Sequence, residues 1–491
     1  MRPNLILITV DQMRRDCMGA AGHPVVETPN LDAMCRQGHR FTHAYSAVPT
    51  CIPARAALLT GLSQRSHGRV GYEDGVPWTY PHTVAAELTA AGYQTQCVGK
   101  MHVYPQRNCC GFENVILHDG YLHYARNAGC ATGESYEGTD DYLRWLRVGC
   151  GPAADLIDSG LDCNSWVARP WPFPEEYHPT NWCAAETVDF LRRRDPTRPF
   201  FLHTSFVRPH SPLDPPQFYY DMYAGRDFPM PPVGDWADTE DLEQMGRFTD
   251  CKWGIIPQES LRRARAAYYG LITHVDHQIG RILEAVEEHG LTKNTIFLFT
   301  SDHGDLLGDH NLFRKAFPYE GASAIPLVVF DPGNHLRLPQ NETRDALVEL
   351  RDIMPTLLEL AGAPIPACVE GKSLVPVLRG ERGDLRDYLH GEHVLESRSN
   401  QFIVTKTDKY IWYTQSGEEQ YFDLTADAEE CHNLIHSGDR QGRIAQLRAA
   451  LIAELTGREE GYIDGKRLIA GQKPVLTLRC ARPHGALSDQ G

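Results

Sequence analysis

The 491-residue chain sets 48 Lys and Arg against 64 Asp and Glu, a formal net charge of −16 at pH 7, which argues against nucleic acid or an anionic membrane surface as the main partner. With 42% hydrophobic and 23% charged residues and no low-complexity tract, the composition is that of a globular protein. No apolar run approaches bilayer-spanning length, and length alone predicts about two to four domains.

The first element is "NLILITV", residues 4–10. It is too short for a signal peptide, and an acid follows it where small cleavage-site residues would stand, so it reads as a buried strand. Fourteen scattered cysteines in no zinc-binding spacing then read as reduced thiols, and the chain is expected in the cytoplasm. Further buried strands are predicted at 93–99, 199–206, 295–300 and 326–330. Helical patterns fall at 30–37, 53–60, 83–91, 181–194, 260–288 and 351–362. The alternation predicts an α/β fold with a mostly parallel central sheet flanked by helices. Residues 103–180, rich in aromatics, His, Gly and Pro, break that rhythm and read as an excursion that shapes a substrate pocket. We therefore expect a catalytic domain over 1–385. A smaller α+β domain over 386–465 would hold a three-stranded meander and a helix at 440–455, and 466–491 would form a peripheral tail.

Ligands of open α/β sheets bind beyond the carboxyl ends of the strands, so the residues found there carry the functional reading. Asp11-Gln12 follows the first strand. Lys100 and His102 follow the second, Arg208-Pro209-His210 the third, and Asp302-His303 the fourth. Any one of these is equally well a turn or a cap, but four arrive at one edge. Asp11, Gln12, Asp302 and His303 offer mostly oxygen donors, a set suited to Ca²⁺, Mg²⁺ or Mn²⁺ better than to a structural zinc. Arg55, Lys100, His102, His210 and Lys315 would supply cations and proton donors around a tetrahedral anionic ester. In "VPTCIPARAALLTG", residues 48–61, Cys51, Pro53 and Arg55 stand just where a helix begins. Packing alone would explain a buried cysteine there.

C-x-P-x-R leading into L-L-T-G resembles the signature of the type I sulfatases, in the alkaline phosphatase superfamily. "VDQ", "GKMH", "RPHSP", "SDHGDLLGDH" and Lys315 follow in that family's order, so the resemblance covers most of the chain. It implies that Cys51 is converted to formylglycine by a formylglycine-generating (sulfatase-maturing) enzyme that reads Pro53 and Arg55. The hydrated aldehyde would attack sulfur through one hydroxyl, and loss of the second hydroxyl's proton would expel sulfate by C–O cleavage. The resemblance further implies one divalent cation on Asp11, Gln12, Asp302, His303 and residue 51. Arg55 would hold the diol and the metal-site carboxylates, and Lys100 and Lys315 would contact the diol and the sulfate. Asp302 would take the attacking hydroxyl's proton, His102 would act as base and His210 as acid.

Two positions depart from the common pattern: Gln12, where many members carry Asp, and His303, where many carry Asn. Calcium is the family default, and the nitrogen ligand brings in manganese, with magnesium a further candidate. The same pairs resemble those of phosphonate monoester hydrolases and choline sulfatases. The leading expectation is a sulfuric ester hydrolase acting on an aryl or carbohydrate sulfate. Phosphonate monoester or phosphodiester hydrolysis with the same nucleophile is the alternative. A catalytically silent anion-binding protein that keeps the thiol is a reading of another class. For the leaving group, Arg169, Trp171, His178, Glu392 and His393 are candidate subsite residues, and Asp309 and His310 stand near the metal motif.

Overall fold

The protein is described by a computed structural model covering residues 2–120, 138–237 and 241–482. Its centre is an eight-stranded sheet in the order β4-β3-β5-β1-β6-β7-β2-β8. The strands are β1 (Asn4–Asp11), β2 (His39–Tyr45), β3 (Gln94–Gly99), β4 (Asn114–Leu117), β5 (Phe200–Pro209), β6 (Thr295–Ser301), β7 (Leu327–Phe330) and β8 (Glu342–Glu349). The expected mostly parallel sheet is present, with β7 alone reversed between β6 and β2. β2, β4 and β8 were not anticipated.

The period-two alternation of β1 divides two cores. Ile6, Ile8 and Val10 pack with the helices Pro29–Arg36, Pro179–Arg193 and Gln258–Glu288. Leu5 and Leu7 pack on the other face with the helices Cys51–Thr60, Val84–Ala90 and Ile353–Ala361. Both faces of the central strands are thus covered, which is why they read as continuous apolar runs.

The register aligns the ends that matter. Val10 lies opposite Phe206 and Ser301, and the ladder then shifts so that Asp11 meets Pro209. Backbone bonds continue past the strands: Asp302 N donates to Val10 O at 3.2 Å, His210 N to Asp11 O at 3.0 Å, and Lys100 N to Ser205 O at 2.9 Å. Asp11, Lys100, His210 and Asp302 therefore emerge side by side.

A second, antiparallel sheet runs β12-β11-β10-β9, from β9 (Leu389–His393), β10 (Asn400–Val404), β11 (Asp408–Tyr413) and β12 (Glu419–Asp423). It has one strand more than the meander expected. One face packs against the helix Gln441–Leu455 through Ile403, Tyr410, Trp412 and Tyr421. The other meets Leu306, Phe317 and Tyr319 of the loop after β6, so the second sheet braces the segment that carries Lys315.

Two segments differ from their sequence reading. The excursion at 103–180 contributes β4 to the main sheet and a helix, Asp141–Cys150; its residues 121–137 lie outside the described residues. Of the segment expected as a peripheral tail, Leu476 and Leu478 bond back to the loop at 68–71, and residues 483–491 lie outside the described residues. No helix among the described residues is long and apolar enough to cross a membrane.

Candidate active site

Cys51 opens the helix Cys51–Thr60, all ten of whose residues are buried. No side chain caps that end, so the first-turn N–H groups and the positive end of the helix dipole face the site. The sulfur lies 3.3 Å from His303 Nε2, 3.3 Å from Lys315 Nζ and 3.6 Å from Asp11 Oδ1.

The surrounding groups are fixed by the strand ends. Gly99 precedes Lys100 at φ 96°, where a Cβ would stand 2.0 Å from Ser205 O; only glycine permits so close a strand approach. Lys100 Nζ then donates to Asp11 Oδ2. Gln12 is left-handed (φ 71°). This turn brings its backbone N to Asp302 Oδ1 at 3.1 Å, its Nε2 to Asp305 Oδ2 at 2.6 Å and its Oε1 to Lys315 Nζ at 3.0 Å. Arg55 Nε and Nη2 both lie 3.1 Å from Asp302 Oδ2, while its Nη1 donates to Lys100 O and Ser205 Oγ. His102 (φ 57°) is held from behind, since Asp119 Oδ1 accepts from the backbone N–H of Met101 and His102.

These charges act on one another through a dry interior. Burial opposes ionisation of the Cys51 thiol, yet Lys100, Lys315 and His303 hold its pKa well below the usual value. Burial and Cys51 likewise oppose the charge on Asp11, but Lys100, His210 and Lys315 keep its pKa below the usual carboxylate range. Asp302 moves the other way, raised by burial and by Asp11. Burial disfavours the charged form of His303, but Asp302 and Cys51 raise its pKa. For His102, burial and Lys100 disfavour the charge, and hydrogen bonding to Asp74 and Cys51 lifts the pKa to about 9. Burial and Lys315 push His210 down to about 4.

Asp11, Cys51, Asp302 and His303 offer ligand atoms within 4.8 Å of one another, all buried. They fit a divalent cation. His303 Nδ1 donates to Gly304 O at 2.9 Å, which leaves the Nε2 lone pair for a ligand. The Gln12 amide oxygen accepts from Lys315 Nζ, which also stands 3.3 Å from the Cys51 sulfur. Even with Lys100 and Arg55 in place, Asp302 and His303 still attract protons, so the cluster has room for more positive charge.

The site opens into a cavity of about 540 Å³. Its floor includes Cys51, Lys100, His102, His210 and Lys315, and the fold brings these together with Arg55 and the metal-type donors behind them. Val103, Asp119, Thr139 and Asn164 of the excursion at 103–180 also line the cavity, and sequence reasoning did not single out Tyr72, Asp74, Trp78 and Leu476. Of the residues singled out for the leaving group, only His393 lines the cavity, and both its ring nitrogens lack hydrogen-bond partners among the described residues. Arg169 donates instead to Ser159 O at 2.7 Å, and His178 packs between Trp171 and His274. Glu392 is locked to Arg458 at 2.8 and 2.9 Å. Asp309 pairs with Arg14, and His310 Nδ1 accepts from Gly234 N.

A buried cysteine ringed by cations and carboxylates, at the carboxyl edge of a mostly parallel sheet, is a site suited to tetrahedral oxyanion esters, the substrates of the alkaline phosphatase superfamily. The Sulfatase family model matches residues 3–363, and the model "N-sulphoglucosamine sulphohydrolase, C-terminal" matches 308–457. An arylsulfatase of Clostridium perfringens is 58% identical over 98% of this chain and 100% of its own length. The multifunctional alkaline phosphatase superfamily protein PehA of Trinickia caryophylli is 30% identical over 88% of this chain and 91% of its own. Among solved structures, the phosphonate monoester hydrolase of Agrobacterium radiobacter superposes with a TM-score of 0.77 at 26% identity, covering 92% of this chain and 95% of that one. The chain belongs to the sulfatase family, and it is a sulfuric ester hydrolase.

Proposed function

We propose that residue 51 is the nucleophile of this enzyme, as formylglycine formed from Cys51 by a maturing enzyme that reads Pro53 and Arg55. The observation that carries the reading is the position of the Cys51 sulfur, at a helix N-terminus and 3.3 Å from both Lys315 Nζ and His303 Nε2. The hydrated aldehyde supplies two hydroxyls, one to attack sulfur and one whose deprotonation releases sulfate. One divalent cation, calcium in our reading, would sit on Asp11, Gln12, Asp302, His303 and residue 51, where it would favour the ionised hydroxyl and screen the ester's oxygens.

The remaining roles belong to the chain. Lys100 and Lys315 hold the negative oxygens, and the dry site strengthens that attraction. Arg55 keeps Asp302 and Asp11 in position. Asp302, its pKa raised, accepts the attacking hydroxyl's proton. His102, its Nε2 3.4 Å from Asp74 Oδ1, serves as base for the second hydroxyl.

His210 departs from a simple acid. Its Nδ1 donates to Ser211 O at 2.7 Å and its Nε2 accepts from Lys315 Nζ at 2.6 Å, so at rest the imidazole is neutral. The leaving oxygen is thus protonated by the Lys315–His210 pair acting together.

The substrate we infer is an aryl or carbohydrate sulfate. The likeness to PehA and to the phosphonate monoester hydrolase supports slower phosphonate or phosphodiester turnover as a second activity. The described cysteines are all free thiols, which supports a cytoplasmic location. The test is mass spectrometry of the peptide spanning residue 51, from chain co-expressed with a maturing enzyme, alongside turnover of 4-nitrophenyl sulfate. Formylglycine at 51 and loss of at least ~10⁴-fold in rate for Cys51→Ala are expected. An active chain that retains the thiol overturns the reading.

A further inference from the structure

After the short hairpin Ile463–Asp464 and Arg467–Leu468, the chain returns to the pocket mouth. The N–H groups of Val70 and Gly71 both donate to Leu476 O at 3.0 Å, and Leu478 N donates to Gly68 O at 2.7 Å. Arg69 and Thr477 form the antiparallel bridge between these bonds. Arg69 is itself buried, held by Tyr80 Oη at 2.8 Å and by the carbonyls of Val76 and Pro77 at 3.0 Å, with its guanidinium 4.9 Å over the Trp78 ring. Val70, Val394 and Leu478 close a small apolar cluster beneath, with Val475 against it. Backbone bonds and packing on both sides therefore fix the depth and register of residue 476.

Leu476 takes no part in that cluster. Its side chain is 37% exposed and lines the cavity into which Cys51 opens. Trp78, on which Arg69 stacks, lines the same cavity with Val76, Val103, Val394 and Leu395. The cavity thus has apolar lining residues beside its charged floor. Leu476 presents a large apolar group on a fixed backbone, resting over Gly71 and otherwise turned to the cavity.

We infer that Leu476 is a specificity-determining residue. With Trp78 it forms part of the wall that receives the leaving group, and it favours an apolar or aromatic group there, because hydroxyls set against these two side chains would lose water without gaining a partner from them. This rests on residue 51 being the nucleophile, as proposed above.

The test compares kcat/KM for 4-nitrophenyl sulfate and glucose 6-sulfate in the mature enzyme and in Leu476→Ala. The aryl-to-sugar ratio is expected to fall about fivefold through the aryl KM, less than a fully enclosed pocket gives, because Leu476 is partly exposed. Gly71→Ala should lower the ratio too with Leu476 intact, since its Cβ would stand 2.6 Å from Leu476 Cδ2 and displace that side chain. A ratio within twofold of wild type in both variants, or an equal fall for both esters, overturns the proposal. Calorimetric binding of benzenesulfonate, which does not react, separates this failure from that of the nucleophile. Leu476→Ala should weaken it about fivefold whether or not the wild type turns over, and an unchanged Kd overturns the role of Leu476.

Discussion

The floor and the rim of the pocket are built by different means. The floor comes from residues just past the ends of β1, β3, β5 and β6, together with Cys51 and Arg55 of the helix Cys51–Thr60 and Lys315 of the loop after β6. They are joined by buried ion pairs such as Lys100–Asp11 and Arg55–Asp302. The rim comes from stretches far apart in sequence, 68–78, 393–396 and 476–478, joined mainly by backbone bonds. A strand end within a wide sheet cannot shift without moving its neighbours, so the reacting groups sit where the fold is stiffest. The rim can change its side chains without disturbing that geometry. Variants in the two regions should accordingly fail in different ways: floor variants should lose stability and rate together, and rim variants should alter which ester is favoured.

The strongest break is expected at Arg55. Its guanidinium is 3.1 Å from Asp302 Oδ2 and 3.9 Å from Asp11 Oδ2, and donates to Lys100 O at 2.7 Å. Arg55→Met keeps the packing and leaves Asp302 short of its counter-charge in a buried site. A loss of ~3–5 kcal/mol in stability is expected, together with a fall of ~10²-fold or more in kcat/KM. Thermal denaturation and steady-state kinetics at fixed metal concentration check both. A stable, slow enzyme would show that the pair serves chemistry alone.

This contrast also decides what could be read from the sequence. The floor was legible because polar residues directly after apolar runs are visible one strand at a time, and the sheet's register then brings them together. Asp119 escaped only because β4 did: Asn114–Leu117 is four residues long. Once that strand is known, Asp119 is one more acid beyond a carboxyl end. β2 and β8 were missed for a related reason. "HRFTHAY" and "ETRDALVE" lack a continuous apolar run, since both lie toward the sheet's margin where one side is partly wet. The rim left no such signal. The Leu476 carbonyl accepts from Val70 and Gly71, and a backbone bond of that kind imposes no side-chain spacing. Composition misled at Trp171 and His178, which pack inward around Asp214 and His274 instead of facing substrate, and at Arg169, which stays exposed and donates to Ser159 O.

A smaller effect, on metal affinity, sharpens the electrostatic side of the floor. In the folded chain the pKa values of Asp302 and His303 both stand above their ordinary values, so these groups keep protons to higher pH than they would in the unfolded chain. A cation must displace those protons. Affinity should therefore be full above the raised His303 pKa and fall as pH drops through it, by about tenfold per pH unit for each proton displaced. Calorimetry with Ca²⁺ in two buffers of different ionisation enthalpy would show proton release on binding. Affinity that stays constant between about pH 8 and pH 6 would mean that neither group is a ligand.

The smallest effect is expected where rim and floor touch. Asp74, on the rim, places Oδ1 3.4 Å from His102 Nε2, and Tyr72 Oη donates to Asp74 Oδ2 at 3.0 Å. With the thiol present, Asp74 and Cys51 together hold His102 at about 9 against burial and Lys100. Conversion of Cys51 to the neutral diol removes the sulfur's share and leaves Asp74 as the carboxylate hydrogen-bonded to the base. Because a base works only when neutral, activity rises as pH passes through the His102 pKa. Asp74→Asn lowers that pKa, so the rising limb of the kcat/KM profile should move to lower pH by roughly half a unit to one unit, with a change of at most a few-fold on the plateau. If the limb stays in place while the plateau collapses, Asp74 holds the loop in shape and does not tune the base. If the profile instead falls through this pKa and that falling limb moves to lower pH, His102 acts as an acid and its part in sulfate release must be reversed.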